Sequence, residues 1–295
     1  MARWVRRTAG VLGVGWVAGA LAVGAASRRW QGSTERLADE LLRRAIAPPG
    51  RVSFPALDSL PGPVRRYFRT VLRDGQPFIR SARLAQTGQF RSKESPDPQA
   101  GWQPFEAAQV FTAEPPGFVW DARIRMAPLA SVRVRDGYVG GRASMLGALL
   151  GIVTVVEAAD EPHLRAGALQ RYLAESVWFP TALLPRKGLA WSSIDDSHAR
   201  ATLTDGETSV SLDFEFGPVD EIVSCHAAGR QRAASGEPGS YQTLPWGGRY
   251  RRYEERDGIR VPLESEVFWV VDGTEQPYYR GRNLRFEYDF PPEGR

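Results

Sequence analysis

Histidine, lysine and cysteine are scarce in this chain of 295 residues, which has three, two and one of them respectively. With Cys225 alone, no intramolecular disulfide can form, and His163, His198 and His226 lack metal-ligand spacing. The chain also lacks a nucleophile elbow, a phosphate-binding loop and a dinucleotide fingerprint. The sequence therefore predicts no catalytic residues, no metal and no organic cofactor, and we expect that the protein is not an enzyme.

Acidic residues are absent from the first 29 positions, which contain five of the 38 basic residues. Without those arginines, the rest of the chain has 33 basic and 34 acidic residues, although the formal net charge of the whole is +4. A chain with no basic excess outside its N-terminus has no general electrostatic attraction for nucleic acid. We therefore predict no nucleic-acid partner.

The uncharged run 9–26 is long enough for one membrane-spanning helix. Arg3, Arg6 and Arg7 precede it, which favours a cytoplasmic N-terminus and an extracytoplasmic position for the rest. We predict a single-pass anchor in residues 1–30, with a signal peptide cleaved near residues 24–26 as the alternative.

Helical and strand periods divide the remaining sequence. Apolar residues at helical spacing predict short helices over 34–46 and 64–72, within a helical linker region of residues 31–77. Alternation is clearest over 118–126, where apolar side chains alternate with polar or charged ones at most positions. Asp136-Gly137 predicts a tight hairpin turn.

An apolar stretch over 145–156 and a helical pattern over 164–178 interrupt the alternation. We predict a helical insert over 145–180 within a sheet domain of residues 78–295. Strand patterns resume after it, at 199–203, 210–216 and further along the chain. Strands on both sides of one insert indicate an α+β fold dominated by a large antiparallel sheet.

Aromatic residues are the best candidates for a binding site. Most of them are expected to form the core, but a curved sheet could instead line a cavity with them. A central helix would then close the cavity and supply a few polar groups. The candidate cavity residues are Phe118, Trp120, Arg171, Tyr172, Glu175, Trp178, Phe179 and Trp191.

Acidic residues offer a different reading, in which the protein is a hydrolase that uses convergent carboxylates. Glu264 and Glu266 share one strand face, and Glu175 lies on the predicted central helix. Asp195 and Asp196 are adjacent, but a turn is the simpler interpretation for them. A third reading is a cell-envelope scaffold whose sheet edge or aromatic face binds another protein.

Several segments resemble a bacterial family of membrane-anchored proteins of unknown function, the DUF6544 or DUF6920 group. They are LPGPVRRYF at 60–68, PGFVWDA at 116–122, RYLAESVWFP at 171–180, ALLP at 182–185, and Pro245-Trp246. The resemblance spans about residues 55–290 and implies no activity and no catalytic residues.

A more distant resemblance is to the LolA and LolB carriers of lipoproteins, through residues 116–120 and the later Asp136-Gly137. It implies a half-barrel whose concave face is covered by helices, over a hydrophobic cavity. We therefore expect the protein to bind a lipid or another hydrophobic ligand beside a membrane.

Overall fold

The computed structural model describes residues 2–46, 48, 50–91, 97, 99–128, 130–233 and 240–291, with side chains from residue 22 onward. Three α-helices are present in this part of the chain: α1 (Ala2–Arg44), α2 (Gly62–Val71) and α3 (Pro162–Glu175). One short 3-10 turn precedes α2, at Pro55–Ser59, and two come after α3, at Ser176–Trp178 and Pro180–Leu183.

Thirteen strands of the described residues form one sheet. They are β1 (Ser81–Arg91), β2 (Trp102–Thr112), β3 (Gly117–Ala127), β4 (Ala130–Val139), β5 (Arg142–Leu149), β6 (Val153–Ala159), β7 (Leu189–Ser193), β8 (His198–Asp205), β9 (Thr208–Phe216), β10 (Ile222–Ala233), β11 (Tyr241–Arg256), β12 (Ile259–Val271) and β13 (Thr274–Asp289).

All neighbouring strands are antiparallel, in the order β6-β5-β4-β3-β2-β1-β13-β12-β11-β10-β9-β8-β7. The sheet is therefore two meanders joined in the middle, where β1 pairs with β13. We call β1–β6 the first wing and β7–β13 the second wing. The two edge strands, β6 and β7, are not hydrogen-bonded to each other, so the sheet is open.

Helix α3 shows that the sheet is strongly curved. It packs against β3, β4 and β5 of the first wing and also against β9 and β10 of the second. In a flat sheet β4 and β10 would be roughly 34 Å apart, at about 4.8 Å per strand. Because one helix touches both, the wings must curl around it, and its side of the sheet is the concave inner face. This agrees with the predicted curved antiparallel sheet.

Residues on every side of α3 are buried, including Ala168, Leu169, Tyr172 and Leu173. A helix that is buried all round belongs to the interior rather than to a surface. On β3 the alternate residues Phe118, Trp120, Ala122 and Ile124 face it and are buried as well. The inner face and α3 together form most of the core.

Helix α1 packs on the outer face, not on the concave one. The indole Nε1 of Trp30 donates a hydrogen bond of 2.8 Å to Asp121 of β3, and the Arg135 guanidinium lies over the Trp30 ring. Leu41 packs with Val119 and other outer-face valines. The expectation that the helix over 34–46 covers the concave face is therefore wrong, because outward residues of β2, β3 and β4 form a second apolar surface.

The helical insert is shorter than predicted. Residues 142–149 and 153–159 are strands β5 and β6, and the helix occupies only 162–175. A short apolar run has no period that distinguishes a strand from a buried helix, which explains the error.

The predicted turn at Asp136-Gly137 is also wrong. Asp136 pairs with Trp120 inside the β3–β4 ladder, and the chain turns four residues later at Gly140-Gly141. Both glycines have positive φ, 59° and 78°, as the tightest hairpin turns require.

The predicted membrane anchor is neither confirmed nor contradicted. Within the part of the chain that has described side chains, no helix combines the length and the apolarity needed to cross a bilayer. The predicted anchor, residues 9–26, lies mostly outside that part. As a backbone, α1 runs unbroken across the predicted domain boundary at residue 30; the domain boundaries stay a prediction.

Replacement of Leu41 by alanine tests the docking of α1 on the outer face. Leu41 is 2% exposed, so Leu41→Ala should lower the free energy of unfolding by about 2–5 kcal/mol. Urea unfolding followed by tryptophan fluorescence measures this. Ile46, which is 60% exposed, provides the control, since Ile46→Ala should change stability by less than about 0.5 kcal/mol. Equal effects of the two variants would contradict the packing of α1.

Candidate functional site

A cavity of about 420 Å³ lies between the two wings of the sheet and α3; we call it the central cavity. Its walls come from the inner faces of both wings and from one side of α3. The first wing contributes Phe90, Trp120, Ile124, Met126, Val132, Val134, Asp136, Met145, Gly147, Val155 and Val156. The second contributes Arg230, Trp246, Gly248, Tyr250, Ser265, Val267, Tyr278 and Tyr279, and Arg171, Ala174, Glu175 and Trp178 come from α3 and the turn after it.

Most of these walls are aliphatic or aromatic, and the charged groups are concentrated on and around α3. Arg171 donates from Nη1 to Asp136 of β4 at 2.7 Å and from Nε to Glu175 at 2.8 Å. Gln109 of β2 donates to the other oxygen of Glu175 at 2.7 Å. The Arg171 guanidinium also lies about 5 Å from the ring centres of Phe118 and Trp120. One arginine therefore ties the helix to the first wing.

Burial governs the titration of these groups. It raises the pKa of Glu175 above its ordinary value, because the hydrogen bonds from Arg171 and Gln109 only partly offset desolvation. Burial also opposes the charged form of Arg171, but Glu175 and Asp136 together raise the pKa of Arg171 above its ordinary range. Arg171 is thus charged at any physiological pH. Of the hydrogen-bonded cluster formed by Arg171, Asp136, Glu175 and Gln109, Glu175 is the member whose desolvation is only partly offset by its partners.

A second arginine reaches the central cavity from β10. The Arg230 guanidinium lies 4.5 Å from the ring centre of Trp246, and burial lowers its pKa. Tyr250 of β11 connects the second wing to α3, since its hydroxyl donates a hydrogen bond of 2.8 Å to the carbonyl of Ala174.

The structure brings half of the predicted site residues to the cavity wall: Trp120, Arg171, Glu175 and Trp178. Phe118, Tyr172 and Phe179 are not part of this wall and are fully buried in the core. Their rings pack among one another and around Phe111, which leaves them no cavity surface.

Trp191 is placed elsewhere. It packs on Phe214 and Phe216 of β9 and donates from Nε1 to the carbonyl of Leu183. These contacts belong to the core of the second wing, so Trp191 does not line the cavity. Whether the four lining residues bind a ligand stays a prediction.

The carboxylates proposed for hydrolysis do not converge. Glu264 and Glu266 lie in a groove on the outer face, where they pair with Arg252, Arg249 and Arg280. Glu175 lines the inner cavity, on the other side of the sheet. The carboxylate that does approach Glu175 is Asp136, which sequence reasoning had assigned to a turn.

The remaining candidates for chemistry have structural partners. Cys225 is buried against the Tyr250 hydroxyl, and burial raises its pKa to about 11, whereas the neighbouring His226 is exposed. Asp195 accepts backbone hydrogen bonds from Ser197 and His198, as a turn residue does. In the described ranges no group of three or more His, Cys, Asp or Glu side chains could hold a metal ion.

Sequence reasoning missed Arg230, Tyr250 and the tyrosines of β13. No local signal marks them, because the strand pattern assigns each only to a face. The chain brings Asp136 and Arg230 to one cavity from positions 94 residues apart, through the curl of the sheet.

Comparisons with known proteins give a family and a distant structural neighbour. A family described as "Family of unknown function (DUF6544)" matches residues 50–281. None of the curated proteins compared with the chain matches it. Among solved structures, a LolA superfamily protein, NE2245 from Nitrosomonas europaea, is 8% identical. The match covers 82% of this chain and 96% of that one, with a TM-score of 0.34.

Replacement of Arg171 by methionine tests the cluster. Arg171→Met leaves Asp136 and Glu175 buried without their cation and should cost about 3–5 kcal/mol of stability near neutral pH. Burial already raises the pKa of Glu175, and loss of the arginine removes the charge that lowers it. The contribution of a group with a raised folded-state pKa is complete below its unfolded pKa and is lost as pH rises through the folded pKa.

The loss measured by urea unfolding should therefore shrink as the pH is lowered from neutral towards 5. Arg252→Met removes an exposed arginine that pairs with Glu254 and Glu264, and it should cost no more than about 1 kcal/mol. A loss for Arg171→Met that is as small as this, or independent of pH, would show that the cluster is not buried as described.

Proposed function

The chain belongs to the DUF6544 family, whose function is unknown, and we propose that it binds a lipid or another hydrophobic molecule in the central cavity. The observation that carries this proposal is an open cavity of about 420 Å³ with mostly apolar walls. Small-molecule sites usually have volumes of about 300–1,000 Å³, apolar walls and a few polar groups. The molecule needs no metal and no organic cofactor for this role.

The two alternative functions, a cell-envelope scaffold and a hydrolase, fit the structure less well. A scaffold whose inner face is only a packed core would leave no cavity, whereas a cavity is present here. A hydrolase would need a pair of carboxylates free to act as acid and base. Asp136 and Glu175 are instead both held by Arg171, and Glu175 also by Gln109. Binding without catalysis is therefore the better supported role.

The geometry of α1 supports a position beside a membrane. Its C-terminal end lies near Gly140, at the end of β4, and Ser27 contacts Arg133, nearer the start of that strand. The first wing has two ends, and the β3–β4 and β5–β6 turns lie at one of them. The N-terminal part of α1 therefore points towards this end. The uncharged run 9–26 continues in that direction.

The same end of the first wing is unusually apolar. Val132, at the start of β4, pairs with Leu149. This end has six apolar side chains that are 37–56% exposed, namely Met126, Leu149, Ile152, Val153, Val155 and Val156. Three of these residues, Met126, Val155 and Val156, also line the central cavity. We call this set the apolar rim; exposed apolar patches of this kind favour contact with a membrane or a partner.

An anchored α1 would hold the apolar rim at the bilayer surface, on the extracytoplasmic side that the N-terminal arginines favour. A hydrophobic molecule could then pass between bilayer and cavity without crossing water. This route explains why an apolar opening and an uncharged helical run lie at the same end of the molecule.

Filling the cavity tests ligand binding. Val134 lies opposite Ala122 and Gly147 on the inner face, so an indole at this position projects into the cavity. Full-length Val134→Trp, purified in detergent, should retain much less co-purified lipid than the natural protein, measured by solvent extraction and mass spectrometry. Val267→Trp, from the second wing, should give the same result.

Glu106→Trp adds the same side chain at an exposed position of β2 and should leave the lipid content unchanged. Thermal melting confirms that each variant is folded. Natural protein free of lipid, or folded Val134→Trp and Val267→Trp variants with undiminished lipid, would contradict the proposal.

Charging the apolar rim tests the membrane route. A double variant, Ile152→Glu with Val153→Glu, changes exposed residues that are not part of the cavity wall. In reconstituted vesicles it should load a fluorescent fatty acid several-fold more slowly, because carboxylates are costly at an apolar bilayer contact. The final amount bound should not change.

Val219, which is 63% exposed in the turn between β9 and β10, supplies the control. Val219→Glu should load at the natural rate. Loading by the double variant at the natural rate would rule out entry across this rim.

A further inference from the structure

Arg230 is the one cavity-lining arginine that the described residues leave without an acceptor. No hydrogen bond or ion pair engages its guanidinium there, and its Nη1 atom is buried with no partner. Its contacts are the ring faces of Trp246, at 4.5 Å, and Trp269, at 5.8 Å. A buried charged donor without an acceptor is destabilising, so natural proteins seldom leave one without a reason.

The other charges of the cavity are already engaged. Arg171 donates to Asp136 and to one oxygen of Glu175, and Gln109 donates to the other. These carboxylates therefore offer little to a cationic or hydroxyl-bearing ligand, whereas the donors of Arg230 are available. The indole Nε1 of Trp178, another cavity residue, is also buried without a partner. Both buried, unpaired polar atoms on the described part of the cavity wall are thus donors.

The position of Arg230 suits a headgroup site. Its guanidinium lies beside Gly167 of α3. A Cβ atom at that position would lie 3.5 Å from Nε and 3.7 Å from Nη2 of Arg230, so the glycine leaves space next to these donors. Arg230 also borders a second and more polar depression, which is lined by α3 residues such as Gln170 and by residues of β8–β11 such as Thr243. It therefore stands at the boundary between an apolar chamber and a polar opening.

We propose that Arg230 binds the anionic headgroup of an amphiphile whose hydrocarbon chain occupies the central cavity. The ligand class is a long-chain carboxylate or an alkyl phosphate. A planar guanidinium that stacks on an indole keeps its edge free for the two oxygens of such a group. This inference rests on the proposed function, since it adds a binding site for the headgroup to the cavity proposed for the hydrocarbon chain.

Photo-crosslinking with matched probes tests it. Full-length protein is reconstituted in neutral phosphatidylcholine vesicles, which contain a diazirine-bearing C16 carboxylic acid, alkyl phosphate, alcohol or trimethylammonium compound. Labelled peptides are then identified by mass spectrometry. In the natural protein the acid and the phosphate should label cavity peptides about tenfold more than the alcohol, because hydrogen bonds to charged groups are the strong ones. The trimethylammonium probe should label least.

Substitutions at position 230 identify the group responsible. Arg230→Met keeps an unbranched side chain and removes the donors, so the acid and the alcohol should label equally. Arg230→Lys keeps the charge and should retain part of the preference. Arg251→Met removes an exposed arginine from the neighbouring strand β11 and should leave the tenfold preference intact. Acetate and inorganic phosphate added in excess distinguish headgroup binding from binding of a free anion, since only the latter would compete strongly.

The outcomes separate this inference from the function on which it rests. Equal labelling by acid and alcohol in the natural protein, or a preference that survives in Arg230→Met, overturns the anion site while lipid binding stands. Absence of cavity labelling with every probe overturns both. Strong competition by acetate or phosphate would mean that the site binds a free anion and not an amphiphile.

Discussion

An open antiparallel sheet has two free edges, and although twist and β-bulges bend its strands, no hydrogen bond between the edge strands fixes how far it curls. In this protein the curl depends on the contacts between α3 and both wings. Arg171 binds Asp136 of the first wing. On the second wing, Gln170 donates a hydrogen bond to the carbonyl of Gly229, and the carbonyl of Ala174 accepts one from the Tyr250 hydroxyl. The hydrogen bond from Tyr138 to Asp205 joins the wings directly. The central cavity exists because these contacts hold two distant surfaces around one helix.

The same helix explains the polarity of the cavity. A helix enclosed by a sheet must bury its polar side chains, and buried charges are tolerated only with partners. Arg171 satisfies two carboxylates at once, so most of the charge on α3 is internally compensated. The walls can then be aliphatic and aromatic, while Arg230 is left as a donor that faces an apolar space. The proposed binding of an amphiphile rests on this combination of apolar walls and one unpaired donor at the boundary of the cavity.

Much of the sheet could be predicted, because alternation records which side of a strand is buried. Phe118, Trp120 and Ile124 identify the inner face of β3 without any knowledge of its neighbours. Alternation fails where both faces of a strand are apolar, as in β6, whose valines are exposed at the rim. Turn composition failed at Asp136, because an Asp-Gly pair also fits a strand when the aspartate has an inward partner.

The sequence by itself determined the antiparallel sheet, the helix between its two groups of strands, the uncharged N-terminal run between arginines, and the lack of known catalytic motifs. These are local properties, since hydrophobic period and composition act over about one element. Tertiary structure alone decided that α1 lies outside the sheet, that Arg171 joins Asp136 to Glu175, and that Arg230 borders the same cavity. Those choices depend on how thirteen strands curl around one helix, and pairing between residues so far apart leaves no trace in any single segment.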